Sequence, residues 1–312
     1  MRILLFRALA PEQLAQLRDR HPQCDFVATT DAGQAESELA HCEVAFGPVP
    51  SAAAARSPAL RWVQLISAGI DGYEPLAATT IIVTTAHGLH TAALAEHAVM
   101  GILAGVRRLP FFVVRQREGA WDRQAGRPAL LQGQHVGLVG FGAVGIEVAR
   151  RLRPFGVRLT AVKREPAACP PELDGLDTLA GLDALLAAAD HVVVSLPLTR
   201  ETRGLIGPDR VARMKRGAWF HTVARGGLVD ESALRARLLD GSLGGATMDV
   251  FEPEPLPTDS PWWTTPNAIV TPHLAGHHAG LPAAVFGRFC DNFDRYVRGQ
   301  PLRYKADFTR GY

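Results

Sequence analysis

A glycine-rich turn, GFGAVG at Gly140–Gly145, constrains the fold of this chain more than any other feature of its sequence. The turn directly follows the apolar run Val136–Val139, which is typical of a buried strand, and a helical pattern begins at once after it. In such a unit the first glycine permits a tight turn, the second lets a pyrophosphate approach the backbone, and the third lets helix and strand pack closely. The sequence therefore predicts a strand–turn–helix unit that binds a dinucleotide at the start of the helix.

Short apolar runs alternate with helical patterns along the rest of the chain. This alternation predicts an α/β protein whose parallel sheets carry helices on both faces. Before the turn, strands are predicted at Ile3–Phe6, Phe26–Val27, Val44–Phe46, Trp62–Ile66 and Ile81–Val83. From the turn onward, strands are predicted at Val136–Val139, Arg158–Val162, Val192–Leu196, Ala218–Val223, Gly245–Val250 and Ala268–Thr271. Helices are predicted at Pro11–Arg20, Thr91–Arg108, Ile146–Arg153, Leu182–Ala189, Ala233–Leu239 and Ala283–Arg298.

The length of 312 residues is sufficient for two domains. Strands and helices occur on both sides of the turn region, which agrees with two domains. The tail is too short to build a core of its own, so we expect it to pack on the first domain and make that domain discontinuous. The predicted domains are residues 1–100 with 285–312, and residues 101–284, which contain the glycine turn. We expect both to be doubly wound parallel sheets.

The composition excludes several classes of protein. Apolar residues make up 47% and charged residues 21%, which is unlike a disordered chain. Lys and Arg number 33 against 31 Asp and Glu, so the net charge of +2 gives no reason to expect nucleic acid or an acidic membrane as partner. Four scattered cysteines suit reduced thiols and neither a disulfide framework nor a metal site. No apolar run approaches the ~20 residues of a membrane helix, so we expect a soluble, cytoplasmic protein.

Two cations stand where the second strand of the nucleotide-binding domain ends. In this fold an acid usually occupies that strand end and accepts hydrogen bonds from the ribose hydroxyls. Counting on from Gly145, the position holds Lys163, followed by Arg164. Two cations in place of the acid cannot accept the hydrogen bonds from the ribose hydroxyls that favour NAD. They offer instead a positively charged site for the 2′-phosphate of NADP. We therefore expect NADP to be preferred, with NAD the alternative if these cations are only a solvated strand end.

Three further motifs each follow a predicted strand: VARGGLVD at Val223–Asp230, MDVFEPEP at Met248–Pro255 and TPHLAG at Thr271–Gly276. In this order, and together with the glycine turn, they resemble the D-isomer-specific 2-hydroxyacid dehydrogenase family, in particular its glyoxylate and hydroxypyruvate reductases. The resemblance extends over nearly the whole chain and is strongest in residues 131–276. It implies a Rossmann nucleotide-binding domain inserted into a flavodoxin-like substrate-binding domain.

The resemblance implies a catalytic role for three residues. His273 would protonate the carbonyl oxygen of the substrate, a task that suits imidazole near neutral pH. Glu254 would hold the other ring nitrogen of His273 and favour the charged imidazole. Arg225 would bind the carboxylate of a 2-oxo acid and polarise its carbonyl with the rigid guanidinium fork.

The resemblance also implies the binding positions. Backbone N–H groups near Ala68 and Gly69 would bind the substrate carboxylate together with Arg225, and Asp249 would bind the nicotinamide carboxamide. No metal is expected. The positions implied for the cofactor are Gly140, Phe141, Gly142, Ala143, Val144, Gly145, Lys163, Arg164, Pro197, Thr202, Val223, Ala224, Asp249 and Gly276.

The activity implied by the resemblance is hydride transfer between NAD(P) and a 2-oxo or (R)-2-hydroxy acid, with NADPH preferred and a homodimer as the assembly. A formate dehydrogenase of the same superfamily is an alternative, but that resemblance calls for Gln in place of Glu254 and for a longer chain. A nucleotide-sensing corepressor, similar to the C-terminal-binding proteins, stays open because those proteins keep similar catalytic residues. We expect no regulatory domain after Tyr312, which argues against the longer phosphoglycerate dehydrogenases.

Residues beside the motifs leave two questions open. His277 and His278 either line the substrate pocket or only cover it. Glu252 competes with Glu254 as the partner of His273, although the family register favours Glu254.

Overall fold

The computed structural model describes residues 1–123 and 127–311 of the chain. These residues form two compact units: unit 1 contains residues 1–90 and 278–311, and unit 2 contains residues 91–277. The two predicted domain boundaries, after residue 100 and before residue 285, each lie a few residues later in the chain than the boundaries between the two units. The predicted domains also include Gln124–Gly126 and Tyr312, which lie outside the described residues.

The predicted strands and helices occur in the predicted order, one further strand (β8) and four further helices (α2, α3, α5 and α8) are present among the described residues, and every strand pair there is parallel. The strands are β1 (Arg2–Phe6), β2 (Asp25–Thr29), β3 (Val44–Phe46), β4 (Trp62–Gln64), β5 (Ile82–Thr84), β6 (His135–Val139), β7 (Arg158–Lys163), β8 (Gly175–Thr178), β9 (His191–Val194), β10 (Trp219–Thr222), β11 (Gly245–Met248) and β12 (Ala268–Val270). The helices are α1 (Pro11–Arg20), α2 (Ala32–Leu39), α3 (Ser51–Arg56), α4 (Thr91–Val106), α5 (Leu109–Arg117), α6 (Ala143–Leu152), α7 (Leu182–Ala188), α8 (Pro208–Arg213), α9 (Glu231–Leu239) and α10 (Leu281–Val297).

Unit 1 is built on a five-stranded sheet with the order β2-β1-β3-β4-β5, which is the flavodoxin-like order. Side chains alternate between the two faces of a strand. Leu5 of β1 therefore packs in one apolar cluster with α10, whereas Leu4 packs in another cluster with α2 and α3. Phe289 of α10 stacks on Phe46 of β3 with ring centroids 4.4 Å apart, so the C-terminal segment packs in this unit.

Unit 2 is built on a seven-stranded sheet with the order β12-β11-β10-β9-β6-β7-β8. Counted from β6, its first six strands follow the Rossmann order 3-2-1-4-5-6. Leu138 of β6 packs on the face that α4 and α6 cover, and Val139 packs on the opposite face with α7 and α9. The two sheets and their orders confirm the predicted α/β fold class, with a Rossmann domain and a flavodoxin-like domain.

Two glycines explain why α4 belongs to unit 2. A Cβ at Gly101 would lie 2.6 Å from Oγ1 of Thr247, and a Cβ at Gly105 would lie 2.6 Å from the ring of Trp219. The helix thus approaches β10 and β11 more closely than a side chain would permit. Ala95 and Ala98, in the first half of α4, also pack in a core cluster of unit 2. The boundary between the units therefore falls at the first residue of the helix, Thr91, whereas the predicted boundary divides the helix.

Other elements differ from the prediction for local reasons. The predicted helix that extends to Arg108 ends at Val106, because Arg108 adopts a left-handed φ of 57° and a new helix, α5, begins behind it. Helix α6 begins at Ala143, directly after the glycine turn, and ends before Pro154, which lacks the N–H that a helix interior needs. Strand β8 (Gly175–Thr178) lies at the sheet edge and has too few apolar residues to be recognised from its sequence.

Residues 1–123 and 127–311 contain neither a single membrane-spanning helix nor a cluster of metal ligands. No single helix in this part of the chain is long and apolar enough to cross a membrane, and α4 with α5 reaches that length only as a pair bent by 67°. Within the same residues, no group of three or more His, Cys, Asp or Glu side chains is arranged to hold a metal ion.

Candidate active site and cofactor site

The glycine turn connects β6 to α6 and leaves space for a pyrophosphate. Gly140 has a φ of 105°, which favours glycine. A Cβ at Gly145 would lie 2.5 Å from the carbonyl oxygen of Gly140, so a side chain there would push the helix away from the strand. A Cβ at Gly142 would meet no atom within 4 Å, which leaves the backbone open where α6 begins. The turn therefore fits a dinucleotide whose phosphates accept hydrogen bonds from the start of α6.

The neighbouring predicted cofactor positions also lie at the carboxyl ends of the strands in this sheet. Lys163 is the half-buried last residue of β7, and Arg164 is exposed directly after it. A hydrogen bond from the hydroxyl of Thr199 lowers the pKa of Glu201, and the nearby charges of Arg164 and Arg200 lower it further. A carboxylate therefore lies in the electrostatic field of Arg164. Val223 and Ala224 follow β10 and are buried, as is Phe141, whereas Ala143 is exposed and Val144 is half-buried.

The loop that contains Pro197 and Thr202 is held together by the hydroxyl of Thr202. This oxygen donates to the carbonyl of Pro197 at 2.7 Å and accepts from the backbone N–H of Thr199 at 2.7 Å. Thr202 is buried, with 3% of its surface exposed. Its side chain therefore shapes the loop, and the predicted contact with a cofactor would come from other atoms of the same loop.

His273 and Glu254 form a hydrogen-bonded pair. The distance between Nδ1 of His273 and Oε2 of Glu254 is 2.7 Å. The other carboxylate oxygen of Glu254 accepts from the backbone N–H of Phe251 at 2.9 Å, which fixes the orientation of the carboxylate. When the imidazole uses Nδ1 in this bond, its Nε2 is left for a substrate. The side chain of His273 is 46% exposed, so a small molecule can reach it.

Asp249 organises the loop that presents His273. The carboxylate is buried, and its Oδ1 accepts from the hydroxyl of Thr271 at 2.6 Å and from the N–H of Leu274 at 2.9 Å. Its Oδ2 accepts from the N–H of Ala275 at 2.9 Å, and its carbonyl accepts from the N–H of His273 at 2.8 Å. A carboxylate offers about four lone-pair sites, so one remains for the predicted nicotinamide carboxamide.

His97 of α4 takes part in this arrangement and was not predicted. Its Nε2 lies 3.2 Å from the hydroxyl oxygen of Thr271. Because that hydroxyl donates its proton to Asp249, the imidazole must donate to Thr271 from Nε2. Burial lowers the pKa of His97, which favours its neutral form, although the charge of Asp249 acts in the opposite direction. A histidine on an apolar helix gives no signal of such a partner in the sequence.

Arg225 follows β10, the strand next to β11. Its backbone is extended, and its Nη1 donates to the carbonyl of Ala224 at 2.7 Å. The next residue, Gly226, packs so tightly that a Cβ there would lie 2.2 Å from the carbonyl carbon of Phe251. The ARGG motif therefore packs directly on the segment that follows β11, and residue 226 must be glycine because no side chain would fit.

Glu252, the rival partner of His273, is engaged elsewhere. Both of its carboxylate oxygens lie 2.9 Å from Nη1 of Arg203. Cis peptide bonds precede Pro253 and Pro255, on either side of Glu254. The carboxylate that contacts His273 is that of Glu254. The structure therefore assigns the histidine contact to Glu254, the residue that the family register favours.

The remaining predicted positions lie in different units. Ala68 and Gly69 follow β4 of unit 1, where Ser67 donates its hydroxyl to the carbonyl of Gly69 at 2.7 Å. His277 is the last residue of unit 2, and its N–H donates to the carbonyl of Leu274 at 2.9 Å. His278 belongs to unit 1, and its Nε2 lies 3.4 Å from the carbonyl oxygen of Leu89.

The other predicted site residues of the three motifs lie in unit 2. They are Arg225, Glu254, His273 and Gly276, the last residue of the TPHLAG motif.

A cavity of about 440 Å³ opens beside the pair of His273 and Glu254 within unit 2. Apolar side chains form much of its wall, including Phe251, Leu256 and Trp263. Of the two adjacent tryptophans, Trp262 is buried in the core and Trp263 is half exposed.

Glu231, the first residue of α9, was also missed from the sequence. Burial raises its pKa to about 7, although the N–H of Glu252 donates to its Oε1 at 2.9 Å and acts in the opposite direction. The negative charges of Glu252 and Glu254 raise the pKa further. In the sequence, an acid in the first turn of a helix only suggests a favourable interaction with the helix dipole.

Replacing Glu231 by glutamine is expected to stabilise the protein at pH 8 more than at pH 5. The folded pKa of about 7 lies above the ordinary value of 4.5, so the stability that depends on this proton is lost as the pH rises from about 4.5 to about 7. Glutamine keeps the acceptor for the N–H of Glu252 and carries no charge. Allowing for solvent screening of this half-buried group, the gain at pH 8 is about 1–2 kcal/mol.

Urea unfolding at both pH values measures this gain. Glu12→Gln, in the exposed first turn of α1, is the matched control. An equal effect of Glu231→Gln at pH 5 and pH 8 would show that Glu231 titrates as an ordinary carboxyl.

Comparison with known proteins identifies the family. Residues 99–275 match the family profile described as "D-isomer specific 2-hydroxyacid dehydrogenase, NAD binding domain". The chain belongs to this family. The match confirms the family predicted from the motifs and a domain that binds a nicotinamide dinucleotide.

Individual relatives are similar over most of the chain. The D-3-phosphoglycerate dehydrogenase of Archaeoglobus fulgidus is 34% identical over 250 residues, which are 78% of this chain but 46% of that protein. The chain thus spans about half the length of the phosphoglycerate dehydrogenases it matches. The (S)-sulfolactate dehydrogenase of Chromohalobacter salexigens is 38% identical over 224 residues, 71% of this chain and 72% of that protein. A solved D-isomer specific 2-hydroxyacid dehydrogenase from Xanthobacter autotrophicus Py2, in complex with NADPH and MES, is 33% identical, with a TM-score of 0.84 and 99% of both chains covered.

Proposed function

We propose that this protein reduces a 2-oxo acid to an (R)-2-hydroxy acid, with NADPH as the preferred cofactor, and catalyses the reverse oxidation. The hydrogen-bonded pair of His273 and Glu254 carries the proposal, because it orients an imidazole at the sheet edge where Arg225 also lies. Strands β10, β11 and β12 are adjacent and parallel, so the residues that follow them converge at one edge. Ligands of such sheets bind at the carboxyl ends of the strands.

Each of the three residues has a separate task in this reaction. Arg225 binds the substrate carboxylate through its guanidinium fork and stabilises negative charge on the carbonyl oxygen. His273 holds a proton at Nε2 and transfers it to that oxygen. Glu254 accepts from Nδ1 and stabilises the imidazolium until the proton leaves. The reduced nicotinamide, when bound, supplies the hydride.

The chain's own residues fit the cofactor. The backbone of Gly140–Gly145 and the start of α6 would hold the pyrophosphate, and Asp249 would accept from the carboxamide with its remaining lone pair. Lys163 and Arg164 support the preference for NADPH, because they end the strand that in NAD-binding members of the fold presents an acid. The negative charge of Glu201 opposes part of the attraction between Arg164 and a phosphate.

We expect kcat/KM to be roughly thirtyfold higher with NADPH than with NADH, a difference of about 2 kcal/mol after allowance for exposure at the strand end. The preference should decrease as salt is added, because the site is open to water. Replacing Lys163 by Asp and Arg164 by Gln together should reverse it. The measurement uses both cofactors on a panel of 2-oxo acids that includes glyoxylate and hydroxypyruvate.

Arg216→Asp, on the exposed surface of unit 2, controls for the change in overall charge. Equal or better use of NADH by the unmodified protein would overturn the cofactor preference. Absence of reduction of every 2-oxo acid with either cofactor would overturn the activity and favour a nucleotide-sensing function.

The homodimer expected by analogy with the family remains part of the proposal, as does a cytoplasmic location. Exposed apolar side chains support an association surface, because large exposed apolar areas mark protein contacts. Five exposed apolar side chains of the described residues lie close together in the sequence: Leu109, Val113, Val114, Trp121 and Leu130.

A further inference from the structure

Arg7, directly after β1 in unit 1, is half-buried, and two nitrogens of its guanidinium group lack acceptors among the described residues. Its Nε and Nη1 are both buried, and neither finds a hydrogen-bond partner among the described residues. The Cζ atom lies 5.1 Å from the centre of the Phe46 ring, so an aromatic face contacts the cation. Burial lowers the pKa of Arg7, and no carboxylate among the residues that the structure describes offsets that effect.

Such a group is unfavourable unless something else binds it. Arginine has five N–H donors and no way to become neutral near pH 7, so burial without an acceptor removes water from donors that then bond to nothing. Contact with the face of Phe46 offsets only part of this cost. A buried donor without a partner is uncommon in native proteins and points to a ligand or a functional role.

The position of Arg7 in the sheet suggests which ligand. Leu5 of β1 pairs with Phe46 of β3, and Phe46 pairs with Gln64 of β4. Leu5, Phe46 and Gln64 therefore lie side by side across three strands. Two residues further along, Arg7 lies at the same height in the sheet as Ile66, which directly precedes the loop with Ala68 and Gly69. Because adjacent strands lie about 4.8 Å apart, Arg7 and this loop are about 10 Å apart at the carboxyl edge of the sheet.

The guanidinium also leans in the direction of that loop. Phe46, which it contacts, lies on β3, between the strand that Arg7 follows and the strand that Ala68 follows. The side chain thus reaches over the intervening strand and shortens the gap to the backbone predicted to bind the substrate carboxylate. A small molecule with an acid group at each end can meet both.

We propose that Arg7 binds a second acidic group of the substrate, so that the preferred substrate is a 2-oxo acid with a carboxylate, sulfonate or phosphate at its far end. The inference rests on the proposed function, because it assigns the substrate of that reaction. The planar fork of arginine matches the paired oxygens of any of these groups. The side chain of Arg7 is only half-buried, so a substrate that reaches it, with a small shift of the guanidinium, would supply the acceptors that the described residues do not.

The test compares monoanionic and dianionic 2-oxo acids as substrates. Pyruvate and glyoxylate form the first group; oxaloacetate, 3-sulfopyruvate and 3-phosphohydroxypyruvate form the second and separate the three acid types. Arg7→Met keeps an unbranched side chain over Phe46 and removes the donors. We expect it to lower kcat/KM for the best dianion by roughly 10- to 150-fold, the loss of one or more charge-assisted hydrogen bonds, and to leave pyruvate unchanged.

Two further variants sharpen the result. Arg7→Lys retains the charge without the fork and should recover part of the dianion activity. Arg18→Met, on the exposed surface of α1, should change neither group of substrates. An equal loss for monoanions and dianions in Arg7→Met, or no loss for either, would overturn the proposal while the reductase activity stands.

Stability and binding separate this proposal from a structural role and from the proposed function. Because Arg7 donates no hydrogen bond from its buried Nε and Nη1, Arg7→Met should melt no lower than the unmodified protein; a lower Tm with loss of all substrates would show a structural role. If no 2-oxo acid is reduced, binding of 2-hydroxy acids to the protein with NADPH bound tests the proposal instead, because these complexes cannot react. Greater thermal stabilisation by D-malate than by D-lactate, lost in Arg7→Met, supports the dianion site, and equal stabilisation contradicts it.

Discussion

Replacing His273 by alanine is expected to lower kcat by about 10²- to 10⁴-fold, the usual effect of losing a general acid. The structure gives a reason to expect little disturbance elsewhere. The loop that presents His273 is held by the carboxylate of Asp249 and by the backbone N–H of residue 273, and alanine keeps both. The side chain itself is nearly half exposed, so no packed core is lost.

The measurement is the steady-state rate of NADPH oxidation with one good 2-oxo acid, together with the Kd of NADPH, which should remain unchanged. His41→Ala, an exposed histidine of unit 1, is the matched control. Glu254→Gln should reduce kcat less, because the amide oxygen can still accept from Nδ1 but carries no charge to stabilise the imidazolium. Near-normal turnover of His273→Ala would remove this residue from the mechanism.

Replacing Arg225 by alanine is expected to lower kcat/KM by about 10²- to 10⁴-fold. Two charge-assisted hydrogen bonds to a carboxylate contribute about 3–6 kcal/mol together, and the same fork stabilises charge on the carbonyl oxygen. Both KM and kcat should therefore change, because the guanidinium acts on the bound substrate and on the transition state. Removal of the side chain leaves the tight contact of Gly226 with Phe251 intact, so the protein should fold.

Arg225→Lys separates charge from geometry, since lysine carries the charge without a bidentate fork, and it should recover only a small part of the activity. Arg216→Ala, exposed in the same unit, controls for the loss of a cation. A rise in KM with unchanged kcat would mean that Arg225 only binds the substrate and takes no part in stabilising the transition state.

The sequence by itself determined the features of this protein that depend on local geometry. The glycine turn can be recognised because the conformation at Gly140 and the packing at Gly145 disfavour any side chain, while Gly142 leaves the backbone open to a ligand. Apolar runs predicted the parallel strands because both faces of each sheet are buried. The order of the motifs was sufficient to name the family and the fold class.

Only the tertiary structure decided what depends on distant parts of the chain meeting. The boundary at Thr91 follows from the contact of Gly101 with Thr247, which lies more than a hundred residues away in the sequence. The pKa of Glu231 and the hydrogen-bond partner of His97 depend on burial and on neighbours from other elements, so the local sequence pattern does not predict them. The same holds for Arg7, since a buried donor without an acceptor can be seen only when its whole surroundings are known. A motif can thus be recognised from neighbouring residues in the sequence, whereas the properties of Glu231, His97 and Arg7 depend on contacts that form only when the chain folds.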